Sequence, residues 1–115
     1  MIGIHVLLDL YGIDPPKLND CGLLADCLSE SALRCGLTPL SAPQLHAFDG
    51  GGVTGVILLS ESHIALHTYP EHGFIAIDLF SCGPGDPEAA VKVFRERLNP
   101  AHEVVTRTSR GTEIG

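Results

Sequence analysis

Residues 2–11 alternate, with Ile2, Ile4, Val6, Leu8 and Leu10 on one side and Gly3, His5, Leu7, Asp9 and Tyr11 on the other. A period of two predicts a strand. Gly12 to Pro16 break it. Asn19 or Asp20 then caps a helix to about Cys35, in which Cys21, Leu24, Ala25, Leu28, Ala32 and Cys35 recur at helical spacing and Gly36 is a fitting end. Residues 37–48 read as extended, interrupted by Pro39 and Pro43. Gly50-Gly51-Gly52 makes a turn. Strands follow over 53–59, 64–69 and 74–81. Asp86-Pro87 opens a second helix, with Ala90, Val91, Phe94 and Leu98 inward, that ends before Asn99-Pro100. A short strand over 103–108 closes the pattern.

The order is strand, helix, four strands, helix, strand. Long helices are too few for alternating β-α-β winding, so the prediction is an α+β fold: one domain over 1–115, a two-layer α/β sandwich with a largely antiparallel sheet and two helices on one face. Alternation also divides the central strands. His63, Ala65, His67 and Tyr69 share a face with Phe74, Ala76, Asp78, Phe80 and Cys82. That face is too apolar for free solvent and too polar for a core, which marks a site or an interface between copies.

Composition narrows the classes. The chain has 115 residues, 44% hydrophobic, with four Phe, two Tyr and no Trp, so aliphatic packing must dominate. A formal charge of −7 argues against nucleic acid and against anionic membranes as partners. Nothing at the N-terminus reads as a signal peptide, and no apolar run approaches the ~20 residues of a membrane span. A cytoplasmic location with reduced cysteines is expected.

The densest chemistry lies at Ser60-Glu61-Ser62-His63 and, just beyond, His67 and Glu71. By turn preference alone Ser60-Glu61-Ser62 is a polar hairpin. His67 and Cys82 also have ordinary structural readings. No metal is expected: Cys21, Cys27 and Cys35 follow a helix face rather than C-x-x-C pairs, and His63 and His67 would lie ~13 Å apart on a strand. A Ser62–His67–Asp78 hydrolase is conceivable, but no G-x-S-x-G elbow surrounds Ser62.

Residues 46–83 carry a resemblance. His46-Ala47-Phe48, Val53-Thr54-Gly55-Val56, Ser60-Glu61-Ser62-His63, Leu66-His67-Thr68-Tyr69-Pro70-Glu71 and Ile77-Asp78-Leu79-Phe80-Ser81-Cys82-Gly83, in that order, resemble the short prokaryotic S-adenosylmethionine decarboxylases. These are self-processing, pyruvoyl-dependent enzymes of polyamine synthesis. The flanks match too: Gly3-Ile4-His5 and Leu10-Tyr11-Gly12 at one end, Arg110-Gly111 and Glu113-Ile114-Gly115 at the other.

The resemblance implies cleavage between Glu61 and Ser62. The Ser62 hydroxyl attacks the Glu61 carbonyl, turning the peptide bond into an ester; β-elimination releases the first chain and leaves dehydroalanine, which takes up water and loses ammonia to become a covalent pyruvoyl group. That group forms a Schiff base with the substrate amine and acts as an electron sink. Thr54 and His67 match the processing pair, Cys82 the proton donor, Phe48 an adenine-stacking ring and Glu71 a ribose-binding carboxylate. Tyr69 stands where many relatives have Trp, Thr54 where Ser is common, and Ile4 where a basic residue is frequent. Asp49-Gly50-Gly51-Gly52 replaces a Pro-containing loop. The implied substrate is S-adenosylmethionine and the implied assembly a homodimer with sites near its interface. The same chemistry on arginine or ornithine, and a non-catalytic dimeric binding module, are the alternatives.

Overall fold

A computed structural model of the chain describes residues 1–114; Gly115, the last residue of the terminal match, lies outside them. Six strands form one sheet in the order β2-β3-β4-β5-β1-β6, where β1 is Gly3–Tyr11, β2 Gln44–Ala47, β3 Val53–Leu59, β4 Ser62–Tyr69, β5 Phe74–Cys82 and β6 His102–Arg110. Every neighbouring pair is antiparallel. The two long helices, α2 (Cys21–Cys35) and α3 (Pro87–Leu98), supply many of the core residues against one face of the sheet. This is the expected two-layer α+β sandwich.

The alternation sorts the faces. Val6, Leu8 and Leu10 of β1, Ile64 and Leu66 of β4, and Ile75, Ile77 and Leu79 of β5 are buried with Leu24, Leu28, Val91, Phe94 and Leu98 of the helices. Cys27 and Ser31 of α2 and Val93 of α3 are buried as well. They widen each helix's apolar stripe beyond the positions read from spacing. Phe94 is the largest fully buried side chain. Phe94→Ala is therefore expected to cost about 3–5 kcal/mol, because the cavity it leaves adds to the lost transfer energy. An unchanged denaturant midpoint would contradict its central place.

Both long helices begin and end as the sequence indicates. The Asp20 carboxylate accepts from Leu23 N–H and Gly36 ends α2 in the left-handed conformation. The Asp86 carboxylate accepts from Glu88 N–H at the start of α3, and Pro87 needs no hydrogen-bond partner there.

The differences lie at the breaks. Only Gln44–Ala47 of the extended 37–48 segment joins the sheet, and Pro39 makes an isolated bridge to Leu59. Pro39 and Pro43 have no N–H to give a ladder. Pro15–Leu18 forms one helical turn, α1, starting on two prolines at positions whose N–H would be unpaired anyway. Pro70–His72 forms a 3₁₀ turn between β4 and β5. β4 starts at Ser62, two residues earlier than read, and β6 runs from His102 to Arg110 rather than from 103 to 108.

Candidate active site

The second sheet face carries no helix. Leu7, Tyr11, Leu58, Tyr69 and Val104 are exposed on it or at its margin. The predicted site residues form two groups at opposite ends of β4, all but Ser62 on or beside this open face.

The first group is the hairpin between β3 and β4. Leu59 pairs with Ser62, so Ser60 and Glu61 form its tip. Glu61 has φ 59°, a left-handed conformation that costs a non-glycine residue about 1 kcal/mol or more. Ser62 turns toward the helix side and is buried. Its Oγ accepts a hydrogen bond from the Cys82 backbone N–H at 3.1 Å. The Cys82 thiol, on the open face, donates to Glu61 Oε2 at 3.6 Å. Partial burial of the sulfur raises the thiol pKa, and the hydrogen bond and charge of Glu61 raise it further.

The second group lines a cleft of about 340 Å³ that brings together Phe48, Thr54, His67, Tyr69 and Glu71. Thr54 and His67 face each other across the β3–β4 ladder, and the Thr54 hydroxyl is hydrogen-bonded to His67 Nδ1 at 3.0 Å. Phe48 projects from the loop after β2, its ring 4.7 Å from His46 in edge-on contact. Tyr69 stacks on Phe74, which in turn packs on Tyr11, giving an aromatic strip across three strands.

Residues outside the sequence prediction shape this cleft. The Asn19 side-chain oxygen accepts from Gly52 N–H at 2.8 Å, holding the glycine turn in place. The buried Thr68 hydroxyl accepts from Val53 N–H and donates to the Leu18 carbonyl. A Cβ at Gly52 would come within 3.0 Å of the Thr68 carbonyl, and φ there is 96°. The triple glycine signalled a turn, but its anchoring by α1 carried no sequence signal. Asn19 could be read only as a possible helix cap.

Five strand positions separate Ser62 from His67, about 16 Å by strand rise. Their side chains also turn to opposite faces, Ser62 buried and His67 exposed. One chain therefore does not unite the hairpin with the Thr54–His67 pair, and a Ser62–His67–Asp78 hydrolytic triad does not form. Asp78 is engaged elsewhere. His5 on β1 and His63 on β4 both stand opposite Phe80 of β5, and Asp78 is one same-face step along. Asp78 contacts His5 Nε2 through one oxygen and lies 3.6 Å from His63 Nε2 through the other. Arg110 donates to His5 Nδ1 at 3.1 Å, so the proton of a neutral His5 sits on Nε2, facing Asp78. His5, His63 and Asp78 are the one trio among the described residues whose possible metal-ligand atoms converge, all within 4.8 Å. Here they already satisfy one another and Arg110.

Fold and face together define a two-layer α+β sandwich with a serine just past a strained hairpin tip and a histidine–hydroxyl pair in a separate cleft. The family model described as S-adenosylmethionine decarboxylase matches residues 4–111. The chain is 41% identical over 113 residues to the S-adenosylmethionine decarboxylase proenzyme of Parasynechococcus marenigrum (strain WH8102), covering 97% of this chain and 88% of that one. It is 39% identical over 111 residues to the proenzyme of the same name from Caldicellulosiruptor saccharolyticus, covering 96% and 89%. The crystal structure of the adenosylmethionine decarboxylase from Aquifex aeolicus superposes with a TM-score of 0.86 at 34% identity, covering 96% of this chain and 91% of that one. The chain belongs to the S-adenosylmethionine decarboxylase family. Neither a basic amino-acid substrate nor a non-catalytic role gains support from these relatives. Among the described residues no helix is long and apolar enough to cross a membrane.

Proposed function

We propose that this chain is a self-processing proenzyme that cuts its own Glu61–Ser62 bond and then decarboxylates S-adenosylmethionine, releasing CO₂ and the aminopropyl donor for spermidine. The observation that carries the reading is the hairpin itself. A left-handed Glu61 precedes a buried Ser62 whose oxygen is held by the Cys82 N–H. That bond leaves the hydroxyl hydrogen free to depart as Oγ attacks the Glu61 carbonyl.

The pyruvoyl group derived from Ser62 supplies an electrophilic carbonyl that captures the substrate amine and accepts the electrons released with CO₂. The chain's own residues surround that chemistry. Cys82 next to Ser62 is the proton donor to the carbon left by CO₂ loss, and a thiol of raised pKa stays protonated near neutrality. Phe48 gives an exposed ring for the adenine, Tyr69 a second aromatic wall, and Glu71 a carboxylate for ribose hydroxyls. Thr54 and His67 are the processing pair, the hydroxyl holding the tetrahedral adduct and the imidazole moving its proton.

Since the pair and the hairpin stand at opposite ends of β4, we infer that a second copy completes each site. The uncovered sheet face is the surface for it. Exposed Leu7, Leu58, Tyr11 and Tyr69 give it apolar area, and the arrangement we infer is one in which the hairpin of one copy meets the cleft of the other. The working unit is then a homodimer of processed chains.

Intact mass under denaturing conditions tests the cleavage, with fragments of residues 1–61 and 62–115 expected. Decarboxylation assays with S-adenosylmethionine, arginine and ornithine test the substrate; turnover of an amino acid alone would sink it. Cys82→Ala is expected to cleave but to lose about 10²-fold or more in turnover, the usual scale of a general-acid contribution. Unaltered kinetics would remove Cys82 from that role.

A further inference from the structure

We propose that Glu61 is a positioning residue for Cys82: its side-chain carboxylate holds the thiol in its protonated form while the Glu61–Ser62 bond is intact. This rests on the reading of Cys82 as the proton donor and adds to Glu61 a task beyond supplying the carbonyl that is cut.

The left-handed turn at Glu61 lets an exposed side chain reach across to the end of β5, where Oε2 meets Cys82 Sγ at 3.6 Å. An ionised carboxylate can only accept, so the sulfur must donate and must keep its proton to do so. A thiolate in the same place would set two negative charges side by side. Among the described residues of the neighbouring strands, the nearest cation in register is Arg110 on β6, which is turned to His5, and the influences on the Cys82 thiol are burial and Glu61. On β1 the residue paired with Cys82 is Gly3, which has no side chain. Farther along the open face His5 and His63 are turned to Asp78, and Arg110 is turned to His5. Within one chain the thiol therefore answers to Glu61. The arrangement keeps a second nucleophile silent beside the junction while the Ser62 hydroxyl acts.

The test uses the uncleaved Ser62→Ala chain, in which Glu61 stays attached, and the same chain carrying Glu61→Gln. Each is treated with iodoacetamide, a neutral reagent, from about pH 6 to about pH 10, where thiolate content governs the rate. Alkylation of Cys82 is read by peptide mass spectrometry, with the partly exposed Cys21 as internal reference. Glu61→Gln is expected to speed Cys82 alkylation at least about threefold near pH 8 and to displace its profile to lower pH, with Cys21 unchanged. Superimposable Cys82 profiles would overturn the proposal, and so would equal acceleration of Cys82 and Cys21, which signals general loosening. The readout is thiol titration in a chain that cannot cleave. Its failure is thus separate from failure of the processing reading, which is scored by the mass of the wild-type protein.

Discussion

Ser62→Ala is expected to leave the chain at its full 115 residues under denaturing conditions and to abolish decarboxylation entirely. The methyl group removes the one atom able to attack the Glu61 carbonyl, and with it the precursor of the electrophile. Stability should change little. Ser62 Oγ accepts a single hydrogen bond, from Cys82 N–H at a sheet margin, worth about 1 kcal/mol. The variant should therefore remain folded and bind substrate. Cleavage at residue 61 in this variant would place the nucleophile elsewhere and overturn the assigned junction.

An equally all-or-none result is expected from mixing two inactive chains. His67→Ala alone should process poorly, because in the proposed dimer every hairpin would face a cleft lacking the imidazole. Ser62→Ala alone cannot process. Co-expressed, they form mixed dimers in which the His67→Ala chain presents its intact hairpin to the intact Thr54–His67 pair of the Ser62→Ala chain. Cleavage should reappear in the His67→Ala chain only, and tagging one chain makes that visible by mass. Rescue would establish that one copy serves the other. Absence of rescue in dimers verified by size would mean that hairpin and cleft act within one chain, against the roughly 16 Å of strand between them.

Much of this was legible in the residues alone. Two-residue alternation sorted β1, β4 and β5 into a buried and an open face, because one side of an antiparallel sheet packs on helices and the other does not. Asp20, Gly36, Asp86 and Pro87 marked helix ends because their side chains or φ preferences act locally. What stayed hidden depends on contacts distant in sequence. The α1 turn bonds through Leu18 and Asn19 to a loop and a strand more than thirty residues on. Prolines erased most of the expected 37–48 strand because a strand needs a partner's ladder as well as its own extension. Motif order named the members of both site groups. Their separation was legible too, because the strand rise that sets His63 and His67 ~13 Å apart sets Ser62 and His67 farther still.

The proposed cut at the hairpin would have a further consequence for how the protein is held together. Strands β1, β2 and β3 stay with the first fragment, and β4, β5 and β6 with the second. In the sheet, β1 runs between β5 and β6, so the fragments are interleaved rather than side by side. Neither can leave without unzipping two ladders at once, β5–β1 and β1–β6, as well as β3–β4. Breaking that bond would therefore leave the native architecture intact but change the order of its renaturation. An uncut chain refolds as a unimolecular event. The matured enzyme, once denatured, must find its complement by collision, and its recovery should rise with concentration.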